Sequence, residues 1–212
     1  MRGRGGHASA PHLALDPIPV ACEIVQALQT LVTRTVNVFD PAVLTIAHIR
    51  AGTTTNIPET AELHGTFRTL PPETRRRLRT GIERVVRHVA AAHGTEADLT
   101  LTESYPPVRD DPAFTATARE AATALLGPGL VHDLPEPVLG AEDFSYVLEG
   151  VPGAMALLGA RPPEVPADSA PDCHSNRVVF DETAMATGIA VHAAVALHHL
   201  TGGEVSTGRR AA

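Results

Sequence analysis

Between Asp16 and Glu103 the spacing of apolar residues switches between a helical and a strand period, and the order of those switches constrains the chain more than any single motif. Residues 17–34 carry Val20, Ile24, Leu28 and Leu31 at helical intervals, with Asp16 placed to cap the helix and Pro17 at its first position. Residues 43–49 and 61–70 alternate and predict two strands, joined by a long loop over 50–60 rich in Gly, Thr, Asn and Pro. The helical period returns over 72–93 through Leu78, Ile82, Val85, Val86 and Val89. Pro71 and Pro72 lead into this helix and Gly94 stops it. Residues 99–103 alternate once more before Pro106 and Pro107.

Helix, strand, strand, helix, strand is a ferredoxin-like β-α-β-β-α-β unit without its first strand. Only residues 1–6 remain to supply that strand, which usually lies mid-sheet, so its loss leaves backbone groups unpaired. The start of the chain therefore reads as cut. Beyond Pro107 the pattern changes to a helix over 111–126, a short helix over 142–148, an apolar strand over 154–158, a proline-rich loop, a short strand over 178–180 and a closing helix over 181–200. Helices alternating with buried strands predict the edge of an α/β layer. The expected fold class is α/β, with one domain over 1–107, a second over 108–202 and a disordered tail over 203–212.

Composition narrows the function classes. With 43% hydrophobic residues, no Trp and only 3% aromatics, the chain must build an aliphatic core. A net charge of -7 argues against a surface that releases counterions from nucleic acid. Cys22 and Cys173 cannot form a disulfide framework, which points to a reducing cytoplasmic setting. The most apolar stretch, 185–197, is too short to span a bilayer, so no membrane partner is expected. Arg2 and Arg4 run into Gly5 and Gly6 with no apolar signal segment behind them. Eleven histidines are many for 212 residues and call for explanation.

Several segments could carry chemistry, each against a plainer reading. Gly3–Ala8 fits a relaxed dinucleotide fingerprint, but no strand precedes it, so that reading fails. His7 follows two glycines in a loop, where it is either a solvent-facing histidine or a ligand-facing one. Asn56 in the long loop and Arg68 on a strand are equally open. Cys173-His174-Ser175 is a buried structural pair, a thiol nucleophile or a metal ligand. Glu142 and Asp143 are ligands, a general base or a helix N-terminus. His192, His198 and His199 on the last helix, and the arginines at 75, 76, 77, 79, 84 and 87, are expected to be solvated.

Four motifs in order resemble a family: G-R-G-G-H-A-S-A-P-H (3–12), A-G-T-T-T-N-I-P-E-T-A-E-L-H-G-T-F-R-T-L (51–70), G-A-E-D-F-S (140–145) and C-H-S-N-R-V-V-F-D-E (173–182). Together they resemble the metal-dependent amidohydrolases that include aminoacylase, hippurate hydrolase and the auxin-amino-acid hydrolases, and the resemblance covers residues 3–200. It implies a zinc-peptidase-like α/β catalytic domain interrupted by a ferredoxin-like lid that mediates homodimerisation. By resemblance, His7 reaches the active site, in many members that of the partner subunit, and hydrogen-bonds the oxyanion. Asn56 and Arg68 bind the substrate's carbonyl or carboxylate, Glu142 lines the cleft, and His174 ligates one of two divalent ions, zinc or manganese. The implied substrate is a small N-acyl amino acid or a related amide.

The family usually reads Asn-x-Ile-Pro where this chain has Asn56-Ile57-Pro58, one residue shorter. Its remaining metal ligands and general base come from a Cys-x-His segment, a Glu-Glu pair and a further histidine in its N-terminal half, patterns that this sequence does not contain. The expectation is therefore the C-terminal portion of such an enzyme, inactive as an isolated chain. The alternative is a non-catalytic dimerisation or small-molecule-binding module of the same descent.

Overall fold

The computed structural model describes residues 1–201, so the expected tail over 203–212 lies outside the described residues. The chain divides into two compact units, one of Met1–Pro107 with Val138–Ala141, the other of Val108–Pro137 with the residues from Glu142 onward.

The first unit holds two helices against a hairpin. Helix α1 spans Pro17–Thr35, its N-terminus closed by the Asp16 carboxylate, which accepts from the Ile18 amide at 2.9 Å. Helix α2 spans Pro72–Ala92 and ends in a Schellman motif. Gly94, at φ +68°, takes the left-handed position, and the amides of Gly94 and Thr95 donate to the carbonyls of Ala91 and Ala90. Both helices bury the residues that their spacing selects: Val20, Ile24, Leu28 and Leu31 from α1, and Leu78, Ile82 and Val86 from α2. Each such aliphatic side chain contributes about 1.5–3 kcal/mol through the water it leaves. The core is aliphatic, as the composition requires.

Strands β1 (Ala42–Ala51) and β2 (Ala61–Thr69) pair antiparallel, with the register broken between Ile46 and His48. Ala47 is thus a bulge, and it shifts which β1 side chains face the helices. Residues 1–6 thread between two neighbours: Met1 exchanges bonds with Ala61, and Arg2 with Glu96. Because Ala61 turns its backbone groups toward Met1, the period of two aims those of Leu63, Gly65 and Phe67 to the same side. Past Met1 this edge of β2 faces residues 97–101 across a slot of about 230 Å³, floored by Ile24, Leu28, Ile82 and Val86.

The strand expected over 99–103 does not form. The ladder stops at the Arg2–Glu96 pair, and beyond it the segment has the slot beside it where a strand partner would have to lie, although Leu99 and Leu101 still pack on the core.

In the second unit, α3 (Pro112–Leu126) is capped by Asp111, whose carboxylate accepts from the Phe114 amide at 2.8 Å. Short α4 (Phe144–Gly150) and α5 (Ala184–Leu200) follow, and α5 packs on α3. The strands expected over 154–158 and 178–180 are absent among the described residues. Both runs are patterned for burial between neighbouring strands, and no described strand of this unit offers them a ladder. Just beyond the two runs, the Asp181 amide donates to the Ala160 carbonyl at 2.8 Å. Leu157, Val179 and Phe180 accordingly stay exposed.

Candidate active-site residues

His7 is placed by the backbone that precedes it. Arg4 exchanges two hydrogen bonds with Leu15 at 2.8 and 2.9 Å, and Gly6 exchanges two with Ile57 at 3.0 and 3.2 Å. Gly3 allows this approach, because a Cβ there would stand 2.1 Å from the Leu15 carbonyl oxygen. The His7 ring is exposed, and its Nδ1 accepts from the Ser9 amide at 3.1 Å and lies 2.7 Å from the Ser9 hydroxyl. An amide can only donate, so Nδ1 is the acceptor and the neutral ring carries its proton on Nε2. That leaves Nε2–H as a donor facing outward.

Asn56 is also exposed, and it precedes Ile57, whose isolated antiparallel bridge is to Gly6, the residue before His7. The two candidates thus flank the two ends of one bridge. Arg68 lies elsewhere: seven residues of β2 separate it from Ala61, roughly 23 Å at strand rise. It is half-buried. Its Nη1 donates to the Thr66 hydroxyl at 3.1 Å, and its buried Nε has no hydrogen-bond partner. The guanidinium fork therefore keeps donors to offer a carboxylate.

Glu142 and His174 belong to the second unit and are exposed. The Glu142 carbonyl accepts from the Ser145 amide at 3.2 Å and its hydroxyl at 2.6 Å, so Glu142 and Asp143 form the entry of α4. His174 sits in a turn closed by the Ser175 amide on the Asp172 carbonyl at 2.8 Å. Its neighbour Cys173 is a free, exposed thiol, as is Cys22, which removes the reading of a buried structural pair.

A two-metal centre fits these residues poorly. Among the described residues, His174 belongs to no group of three potential ligands whose donor atoms lie within 4.8 Å of one another. Such a group does exist in the first unit, and sequence reasoning passed over it: His48, Glu62 and His64, all exposed on the hairpin. His48 and His64 are direct cross-strand partners, with ring centroids 5.3 Å apart and an interplanar angle of 66°. His64 Nε2 donates to Glu62 Oε1 at 2.8 Å. This hydrogen bond, then the charge of His64, holds the Glu62 carboxyl below its usual range against a small opposing effect of desolvation; His48 and Arg50 add to the lowering. Glu62-x-His64 on an alternating strand was a visible signal; its pairing with His48 depends on the bulge at Ala47.

Residues 1–94 match the model of the peptidase dimerisation domain of M20 type. The N-acetyl-L-cysteine deacetylase of Bacillus subtilis is 37% identical over 187 residues, 87% of this chain and 42% of that protein. The N-acetyldiaminopimelate deacetylase of a Geobacillus species is 36% identical over 190 residues, 89% of this chain and 48% of the relative. Among solved structures, the Bacillus subtilis YxeP protein, described as a dinuclear metal-binding peptidase of the M20 family, superposes with a TM-score of 0.64 at 29% identity. The match covers 88% of this chain and 47% of that one. A putative aminohydrolase of Staphylococcus aureus gives a TM-score of 0.69 at 27% identity, covering 94% and 50%. The chain spans about half the length of the curated relatives it matches. The expected α/β class with a lid-type first unit is thereby shown, and the chain belongs to the M20 peptidase family.

Proposed function

We propose that these residues serve a metal-dependent amidohydrolase acting on N-acyl amino acids, supplying its lid, part of its substrate site and one metal ligand. The observation that carries this reading is identity of more than a third to deacetylases of N-acetylated amino acids across nearly nine-tenths of the chain. His7 would donate from Nε2 to the oxyanion that forms when water attacks the amide carbon. Asn56, next to the Gly6–Ile57 bridge, would hold the carbonyl side of the substrate. Arg68 would bind the carboxylate. With Arg68 at the other end of β2, His7 and Arg68 of one chain would serve different substrate molecules, which supports a homodimer that shares its lids. Glu142 would line the cleft, and His174 would hold one zinc or manganese ion whose remaining ligands lie outside the described residues. The 212 residues alone would then not turn over substrate. The exposed, unpaired thiols support a reducing, cytoplasmic setting, and no helix among the described residues is long and apolar enough to cross a membrane.

The test joins this chain to the front half of the Bacillus subtilis N-acetyl-L-cysteine deacetylase and measures acetate release from N-acetylcysteine with zinc or manganese. The chimera should be active, the 212-residue chain inert, and His7→Ala should lower kcat of the chimera by about 10²-fold. Chelator-sensitive hydrolysis by the chain alone would overturn its incompetence. A folded, metal-loaded chimera without activity would overturn the amidohydrolase reading.

A second reading is favoured by the dimerisation-domain match over residues 1–94: a module that only pairs chains. Both readings give a dimer, so the chimera separates them: a module that only pairs chains should sediment as a dimer and leave the folded, metal-loaded chimera without activity.

A further inference from the structure

We infer that His48, Glu62 and His64 form a binding site for a borderline divalent transition metal, zinc before others, on the outer face of the β1–β2 hairpin. The three donors come from a fixed register. His48 faces His64 directly across the ladder, and Glu62 lies two residues before His64 on the same face of β2. Their donor atoms already lie within 4.8 Å of one another, and the closest pair is at 2.8 Å. Four-coordinate zinc with bonds of about 2.0–2.1 Å needs donors about 3.3 Å apart. Exposed side chains reach that spacing by small rotations about χ1 and χ2, with no movement of the strands.

The donor set decides the class of ion. Two imidazoles and one carboxylate suit zinc, nickel or copper, whereas magnesium and calcium demand oxygen shells. Three protein ligands leave the fourth tetrahedral position to water. On binding, His64 Nε2 gives up the hydrogen it shares with Glu62 and takes the metal with its lone pair, and the neutral ring then carries its one proton on Nδ1. Arg50, the cross-strand partner of Glu62, is the nearby cation that opposes the ion. The bulge at Ala47 is what turns His48 to this face: without it, the alternation that points Leu44 and Ile46 into the core would send residue 48 inward as well. A metal here would tie β1 to β2 just beyond the bulge, where the ladder is interrupted.

This site is independent of the amidohydrolase reading, and the experiment keeps the two apart. The chelator-stripped 212-residue chain is titrated calorimetrically with zinc alone, beside His174→Gln, Glu62→Gln and the double variant His48→Gln/His64→Gln. One equivalent should bind to the parent chain and to His174→Gln. Glu62→Gln should weaken it by roughly tenfold or more, and the double variant should lose it. In the parent chain, the ring nitrogen resonances of His48 and His64 should shift together as zinc is added, which reads the site even if a variant misfolds. Uptake that survives in the double variant, unmoved rings at both histidines, or equal displacement by magnesium would overturn the inference.

Discussion

A Cβ on residue 81 of α2 would stand 2.9 Å from both methyl carbons of Leu31 on α1, so the two helices meet at a position that only glycine fills without displacing its neighbour. Leu31 is itself buried in the core and has little room to retreat. Two effects compete at this position. Alanine would gain about 0.5–1 kcal/mol of helix propensity, while overpacking costs about 1–3 kcal/mol. The cost exceeds the gain, so Gly81→Ala should lose about 1 kcal/mol. Gly81→Val, larger and β-branched, should lose about 2 kcal/mol or more in a urea titration, with unchanged slope.

Gly3 controls how the N-terminal segment docks. Its Cβ would fall 2.1 Å from a backbone oxygen, which cannot rotate aside. Gly3→Ala should break the Arg4–Leu15 pair and release His7, lowering stability by about 1–3 kcal/mol. Hydrogen exchange checks this directly: the amides of Arg4, Leu15 and Ile57 should lose protection while those of α2 keep theirs.

What the sequence made legible is what short-range order decides. Val20, Ile24 and Leu28 mark the buried face of α1, and Leu78, Ile82 and Val86 that of α2, because a helix satisfies its own backbone and needs only one apolar side. Residues 99–103, 154–158 and 178–180 carry strand patterns as clear as those of β1 and β2, yet none is a strand, since a strand exists only through a neighbour. The same limit hid the histidine cluster. Glu62 and His64 share a face by alternation alone, but His48 joins them only through a bulge that no residue type announces. His7 and Asn56 could be named separately from their motifs, and only the structure shows that their neighbours Gly6 and Ile57 are paired.

The second unit leaves apolar area in water at Ile189, 71% exposed, and Val179, 66% exposed. Apolar patches of this kind bind dyes. The folded chain should therefore enhance the fluorescence of an anilinonaphthalene sulfonate before any heating. Ile189→Lys should reduce that signal and shift stability by no more than about 0.5 kcal/mol, while Ile24→Lys should abolish cooperative unfolding. Dye binding unaffected by Ile189→Lys would place the patch elsewhere.

Acid should loosen the second unit through two aspartates. The Asp181 carboxylate accepts from the Thr183 hydroxyl at 2.7 Å and the Thr183 amide at 3.0 Å at the entry to α5, and these bonds, the hydroxyl's first, hold its pKa below the ordinary 3.8. Asp133 is lowered likewise by its hydrogen bond to Arg119, which outweighs the opposing desolvation, and the Arg119 charge adds a smaller lowering. A carboxyl whose folded pKa is depressed binds its proton more readily in the unfolded chain. Its contribution is complete above the ordinary value and disappears as the pH falls through the lowered one. Between neutrality and pH 5 these two groups should leave stability flat, and the loss should begin only below about pH 4. Carboxyl carbon titration by NMR should place both midpoints under 3.8. Asp133→Asn and Asp181→Asn should each flatten the acid limb of the melting profile, and a limb unchanged in both variants would assign it to other carboxylates.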